Sequence, residues 1–204
     1  MRSALLFLFT LLILFSSDLK PQSDTTSISL LPNKLSILEK ALWGESGLFR
    51  ITGLAPLTPQ AREKELKLRR AMLSIHQLGG FTTLGLMAIS AYYGKKVFDG
   101  DYSAVNKHRS LVRVTIASYT LTALLALTSP PPLVRREKGE GSLSLHKTLA
   151  WIHGAGMIAT AVLGRQVRES KTIDDYNRLK KIHMGVAITT FTALASAMIV
   201  ITIR

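Results

Sequence analysis

Residues 143–163 read LSLHKTLAWIHGAGMIATAVL. The run is apolar enough to lie in a bilayer, yet it carries His146 and His153. Seven residues separate them, close to two helical turns, so both fall on one helix face about 10 Å apart along the axis. An ionisable side chain inside a membrane span is costly and usually turns into a bundle interior to meet a partner. Three more apolar runs follow the same rule. Residues 71–94 carry His76, residues 110–129 have His108 at their mouth, and residues 182–203 begin with His183. These account for all five histidines of the 204-residue chain.

Long apolar runs joined by charged connectors predict an all-α membrane protein, an up-down four-helix transmembrane bundle over residues 58–204. The 26 Lys and Arg outnumber the 13 Asp and Glu, and the positive charge gathers at the ends of the apolar runs. That placement fits topology control and lipid headgroup contact. No DNA- or RNA-binding motif accompanies it, so no nucleic-acid partner is expected. The chain has no cysteine, which excludes disulfides, thiolate metal sites, iron–sulfur clusters and covalent haem attachment through Cys-x-x-Cys-His.

Residues 1–22 read as a signal peptide: Arg2 is followed by a twelve-residue apolar run, Ala4 to Phe15, too short to span a bilayer. An uncleaved anchor is the alternative. Residues 23–57 read as an extracytoplasmic segment lying on the membrane interface. Leu35, Ile37, Leu38, Leu42 and Trp43 line one face of a short helix that Gly44 and Gly47 end, and Trp43, Leu48 and Phe49 sit at headgroup level. Thr58-Pro59 opens the first long helix as N-cap and N1, and its first turns, QAREKELKLRR, are expected in water. Ser129 and the three prolines after it stop the second helix. No clear short repeat is visible. Connectors after the first and third runs hold ten Lys and Arg, among them Lys95, Lys107, Arg165 and Lys180, against Arg135, Arg136 and Lys138 in the connector after the second. The excess puts the former inside and the N-terminus outside, as in a multi-pass protein of a bacterial inner membrane.

Alternate helices of such a bundle run parallel, so the histidines sort into two layers. His76 lies six residues past Arg70, and His153 six past Lys147, which makes them the expected outer pair, with His146 as the alternative outer ligand. His108 and His183 form the inner pair. Two imidazoles on facing helices fit axial ligation of a noncovalent b-type haem, here two of them. Gly79, Gly80, Gly154, Gly156 and Gly185 supply small surfaces. Arg109 and Arg113 on the inner side can pair propionates, as can Arg69, Arg70 and Lys147 outside.

The phrases Ile75-His76-Gln77-Leu78-Gly79, Lys107-His108-Arg109, Ile152-His153-Gly154 and Ile182-His183-Met184-Gly185 give the chain its likeness: over residues 70–204 it resembles the cytochrome b561 type. The resemblance implies one haem held by the first and third core helices and another by the second and fourth. It implies electron transfer across the membrane between a donor and an acceptor that the sequence does not name. Whether an enzymatic oxidoreductase step is attached is open. The alternative function is a haem-free membrane anchor or assembly subunit of a larger complex; a proton-relaying transporter is disfavoured because the spans lack acidic residues. A homodimer or a place in a complex fits either reading.

Overall fold

The computed structural model describes residues 29–134 and 141–203. The expected signal peptide and the basic residues Arg135, Arg136 and Lys138 lie outside them. Helix is the only regular secondary structure among the described residues, which contain no strand. Two short helices, α1 (Ile37–Trp43) and α2 (Leu48–Ile51), precede four long ones: α3 (Pro59–Phe98), α4 (Val105–Leu127), α5 (Ser142–Glu169) and α6 (Ile173–Thr202). Three segments, Pro59–Phe98, Tyr102–Leu127 and Ile173–Thr202, are long and apolar enough to cross a membrane. The chain therefore has the make-up of a multi-pass membrane protein.

Local chemistry sets the helix ends. The Thr58 hydroxyl accepts from Ala61 N–H at 3.2 Å, with Pro59 at the first helical position, as expected. At α6, Thr172 caps Asp175 N–H in the same way at 3.1 Å. A capping box that the sequence reading does not name starts α1: Glu39 N–H donates to Ser36 Oγ, and Ser36 N–H donates to the Glu39 carboxylate. α3 runs on to Phe98, and a short 3₁₀ turn, Tyr102–Ala104, leads into α4.

α3 and α4 form one hairpin and α5 and α6 another; α3 and α6 join the two. Outward-facing positions are apolar, including Leu78, Leu121, Trp151, Ile158, Ile188 and Ile199. Most buried positions are small or polar, among them Thr83, Ser90, Thr115, Thr122, Thr190, Ala193 and Ala197, with Leu194 and Met198 beside them on α6. This is the distribution of helices that meet lipid outside and pack through small and hydroxyl side chains inside. Close approach is built in by glycine: a methyl group added at Gly79 or Gly156 would strike the side chain of Thr122 or Thr190. Gly80 lies against Met198 of α6.

The segment before α3 departs from expectation. Trp43 is buried, stacks at 4.5 Å on Phe49 and donates Nε1–H to the Thr128 carbonyl at 2.9 Å, whereas Ile37 and Leu38 face outward. Trp43 thus anchors its segment to the end of α4. Nor are all the first turns of α3 in water. Arg62 and Glu65 are buried, with Arg50 bound to the same Glu65 carboxylate. Arg62 also donates to the Leu30 and Pro131 carbonyls at 2.9 and 3.1 Å. Two guanidinium groups on one carboxylate, with carbonyls taking further N–H groups, make burial of these charges tolerable. The cluster holds residues 29–57 against the start of α3 and the prolines after α4.

Candidate functional site

Four of the five histidines meet in pairs between the hairpins. His76 of α3 faces His146 of α5, with ring centroids 6.2 Å apart and planes at 90°. His108 of α4 faces His183 of α6 at 6.5 Å and 83°. The inner pair is the expected one. The outer partner of His76 is His146, the alternative ligand; His153 points elsewhere. It is buried, and its Nδ1 lies 3.0 Å from the Tyr119 hydroxyl of α4. Equal offsets from flanking charges misjudged depth because Lys147 adjoins His146 directly, so the charge marks that histidine's level and not that of His153.

Each paired imidazole is held by the other helix of its own hairpin. His76 Nδ1 lies 2.8 Å from the Thr122 carbonyl oxygen, and His108 Nδ1 lies 2.9 Å from that of Ser90. In the second hairpin, His146 Nδ1 meets the Ala197 carbonyl at 3.0 Å, and His183 Nδ1 meets that of Thr160 at 3.1 Å. A carbonyl can only accept, so Nδ1 carries the proton and Nε2 is left as the free lone pair in all four rings. This is the backbone hydrogen bond that orients metal-ligating histidines.

The two hairpins repeat this register. Fourteen residues separate His76 from Ser90 and His146 from Thr160, and again His108 from Thr122 and His183 from Ala197. Halfway along the second helix of each hairpin sits a threonine, Thr115 or Thr190. Their hydroxyls lie 3.2 Å from Ser90 Oγ and 3.5 Å from Thr160 Oγ1. Equivalent positions face each other across the hairpins, as a twofold relation requires. The repeat is one of hydrogen-bonding register and not of residue identity, which is why it is faint in the sequence. Fourteen residues of helix put the two layers about 21 Å apart.

Glycines beside the inner pair were missed from sequence. A methyl group on Gly94 would come to 3.0 Å from His108, and one on Gly164 to 3.2 Å from His183. Each lies eighteen residues past the outer histidine of its helix, a shared offset that was readable in the sequence. Of the glycines that were expected, Gly79 adjoins Thr122, whose carbonyl holds His76; Gly154 adjoins Tyr119; Gly185 has open space around it.

A cavity of about 990 Å³ surrounds the inner pair and opens between the helix ends. Its wall is largely apolar, with Met87, Phe98, Ile116 and Phe191 among its residues. Arg109 and Arg113, the expected inner anion partners, both line it and have no ion pair or hydrogen bond among the described residues. Other cations at the rim are engaged. Arg165 donates to Glu169 at 2.9 Å, and this hydrogen bond, with the charge behind it, holds the Glu169 carboxyl below its usual range. Lys95 binds Asp99 at 2.6 Å, and Lys180 stands 5.0 Å over the Phe98 ring. At the opposite end of the long helices, Arg69 donates to Ser129 Oγ and the Pro130 carbonyl, so it helps to shape the turn after α4.

Among the described residues, no three of His, Asp and Glu gather to hold a bare metal ion. A structural metal such as zinc wants about four protein ligands, which the pairs do not offer. A group that brings its own equatorial ligands needs only two axial imidazoles. An atom gripped by two imidazole nitrogens at about 2 Å each puts the ring centres about 6 Å apart, close to the separations seen. The donor set, the apolar slot and the unpaired arginines fit a haem with its propionates. Compared with known protein families, characterised proteins and solved structures, the chain matches none.

Proposed function

We propose that this chain is a membrane cytochrome with two noncovalent b-type haems that passes electrons across the bilayer. In this reading α5 is a fourth span beside the three apolar enough to cross, and the four long helices make a transmembrane bundle. His76 and His146 would hold the outer haem, and His108 and His183 the inner. Haem supplies one-electron exchange between ferric and ferrous iron, which no side chain of this chain offers. The protein's part is to fix four imidazoles by backbone hydrogen bonds, to keep lipid and water from the slots, and to offset carboxylate charge with Arg109 and Arg113.

One observation carries the reading. All four rings have Nδ1 committed to a carbonyl and meet in pairs at 6.2 and 6.5 Å, in two layers. Histidines serving only to snorkel or to cap a helix have no reason to repeat that arrangement. The test is a visible spectrum of the purified protein before and after dithionite. The expected result is a red protein with reducible Soret and α bands, from which His146→Ala removes one component and His183→Ala the other. A colourless protein from haem-sufficient cells would overturn the proposal in favour of a haem-free anchor subunit.

A further inference from the structure

His153 and Tyr119 stand apart from the paired imidazoles. His153 is seven residues past His146 on α5, so it lies about 10 Å below the outer pair, roughly midway to the inner layer. Residues 77–91, 114–128, 148–164 and 184–203, which make up the four helices between the layers, contain no ionisable side chain except these two. Groups at the ends of those stretches are His76 and Tyr92 on α3, Arg113 on α4, His146, Lys147 and Arg165 on α5, and His183 on α6. A buried ionisable group at mid-membrane depth is expensive and is retained for function unless packing explains it. Packing does not explain it here: the equivalent position of the first hairpin, seven residues past His76, is Thr83, which simply bonds Ser118 at 2.8 Å.

Two hydroxyl pairs lie on α3 and α4 between the inner cavity and Tyr119. Ser90 and Thr115 line that cavity and lie 3.2 Å apart. Ser118, one turn further along α4, is bonded to Thr83; the next residue in the chain is Tyr119, whose hydroxyl reaches His153 Nδ1.

From this geometry we infer that His153 is the internal proton acceptor that balances charge when an electron arrives at the outer imidazole pair. The inference rests on the dihaem reading. In the tautomer that donates Nδ1–H to Tyr119 Oη, neutral His153 leaves Nε2 bare; Tyr119 can accept that bond and donate its own proton elsewhere. One electron enters the outer site from a one-electron reductant. One proton, drawn from water, forms a new N–H bond at Nε2. The net charge of the outer region is then the same before and after reduction, which matters most where the dielectric is low. Tyr119 is a positioning residue in this step: it fixes the ring so that Nε2 is the free nitrogen.

The test is a redox titration of the holoprotein in detergent at a series of pH values, with the outer component assigned by its loss in His146→Ala. In the wild type the outer midpoint is expected to fall as pH rises, approaching 59 mV per tenfold change in proton concentration for one electron and one proton. His153→Gln is expected to keep both spectral components and to flatten the outer dependence, leaving the inner component unchanged. Tyr119→Phe, which preserves the ring packing, is expected to move the pH window of the outer component without removing a component. Three results overturn the inference: an unaltered slope in His153→Gln, loss of a spectral component in that variant, which would make His153 a ligand, or a wild-type outer midpoint independent of pH. Should His153→Gln fail to fold, an unmoved window in Tyr119→Phe has the same force. A wild-type protein with no haem bands at all would instead fail the dihaem reading itself.

Discussion

Whether an imidazole can bind a metal is settled by its second nitrogen. Where Nδ1–H is donated to a carbonyl, the ring is held in one tautomer and one orientation, and Nε2 is a ready ligand. His76, His108, His146 and His183 all have this arrangement; His153, engaged by a hydroxyl, does not. The inner rings are also held sterically, by glycines that leave no room for a side chain. Gly164→Val is expected to push His183 out of line and to weaken retention of the inner component about tenfold, within the range for disturbed ligand orientation. The outer component should be untouched. Gly85→Ala, where a methyl meets nothing within 4 Å, should leave both components in place. Equal spectra from Gly164→Val and wild type would show that close packing at residue 164 does not control the ligand.

At the level of elements, the short helices before α3 are tied to the long hairpin through charge and one indole. Glu65 binds Arg50 and Arg62 together, and all three side chains are buried. Removing one partner of a buried ion pair leaves uncompensated charge and typically costs about 3–5 kcal/mol. Glu65→Ala is therefore expected to lower the thermal unfolding midpoint far more than Thr58→Ala, which removes an N-cap worth about 1 kcal/mol. A comparison by circular dichroism in one detergent decides this. Similar losses from the two substitutions would mean that the cluster is better solvated than its burial indicates. Trp43→Phe, which keeps the Phe49 contact and removes the bond to the Thr128 carbonyl, should fall between them.

Across the whole molecule, the two hairpins carry one register, which places equivalent histidines opposite each other at two depths. By the excess of Lys and Arg in its connectors, the layer of His108 and His183 is expected to face inward. Because the chain has no cysteine, orientation is directly testable. Lys64 and Lys171 are both exposed and lie at opposite ends of the long helices. Lys64→Cys is expected to take up a membrane-impermeant thiol reagent from outside intact cells, and Lys171→Cys only after the membrane is opened. The reverse labelling would invert the assignment of inner and outer layers and rule out the positive-inside reading of the connectors.

Composition and periodicity by themselves determined that the chain is helical, that apolar runs of membrane-spanning length recur, where Thr58 starts α3, and that His108 and His183 belong together. These features depend on local chemistry: a cap needs a hydroxyl, a span needs a length of apolar side chains, and a basic connector marks its side. The tertiary structure decided what depends on rotation and depth of one helix against another. A residue number fixes height along its own helix but not the offset between helices, so His146 and not His153 reached His76. The burial of Arg62 and Glu65 in a stretch that reads as solvated was equally out of view. Their partners Arg50, Leu30 and Pro131 come from distant parts of the chain, and only folding brings those groups together.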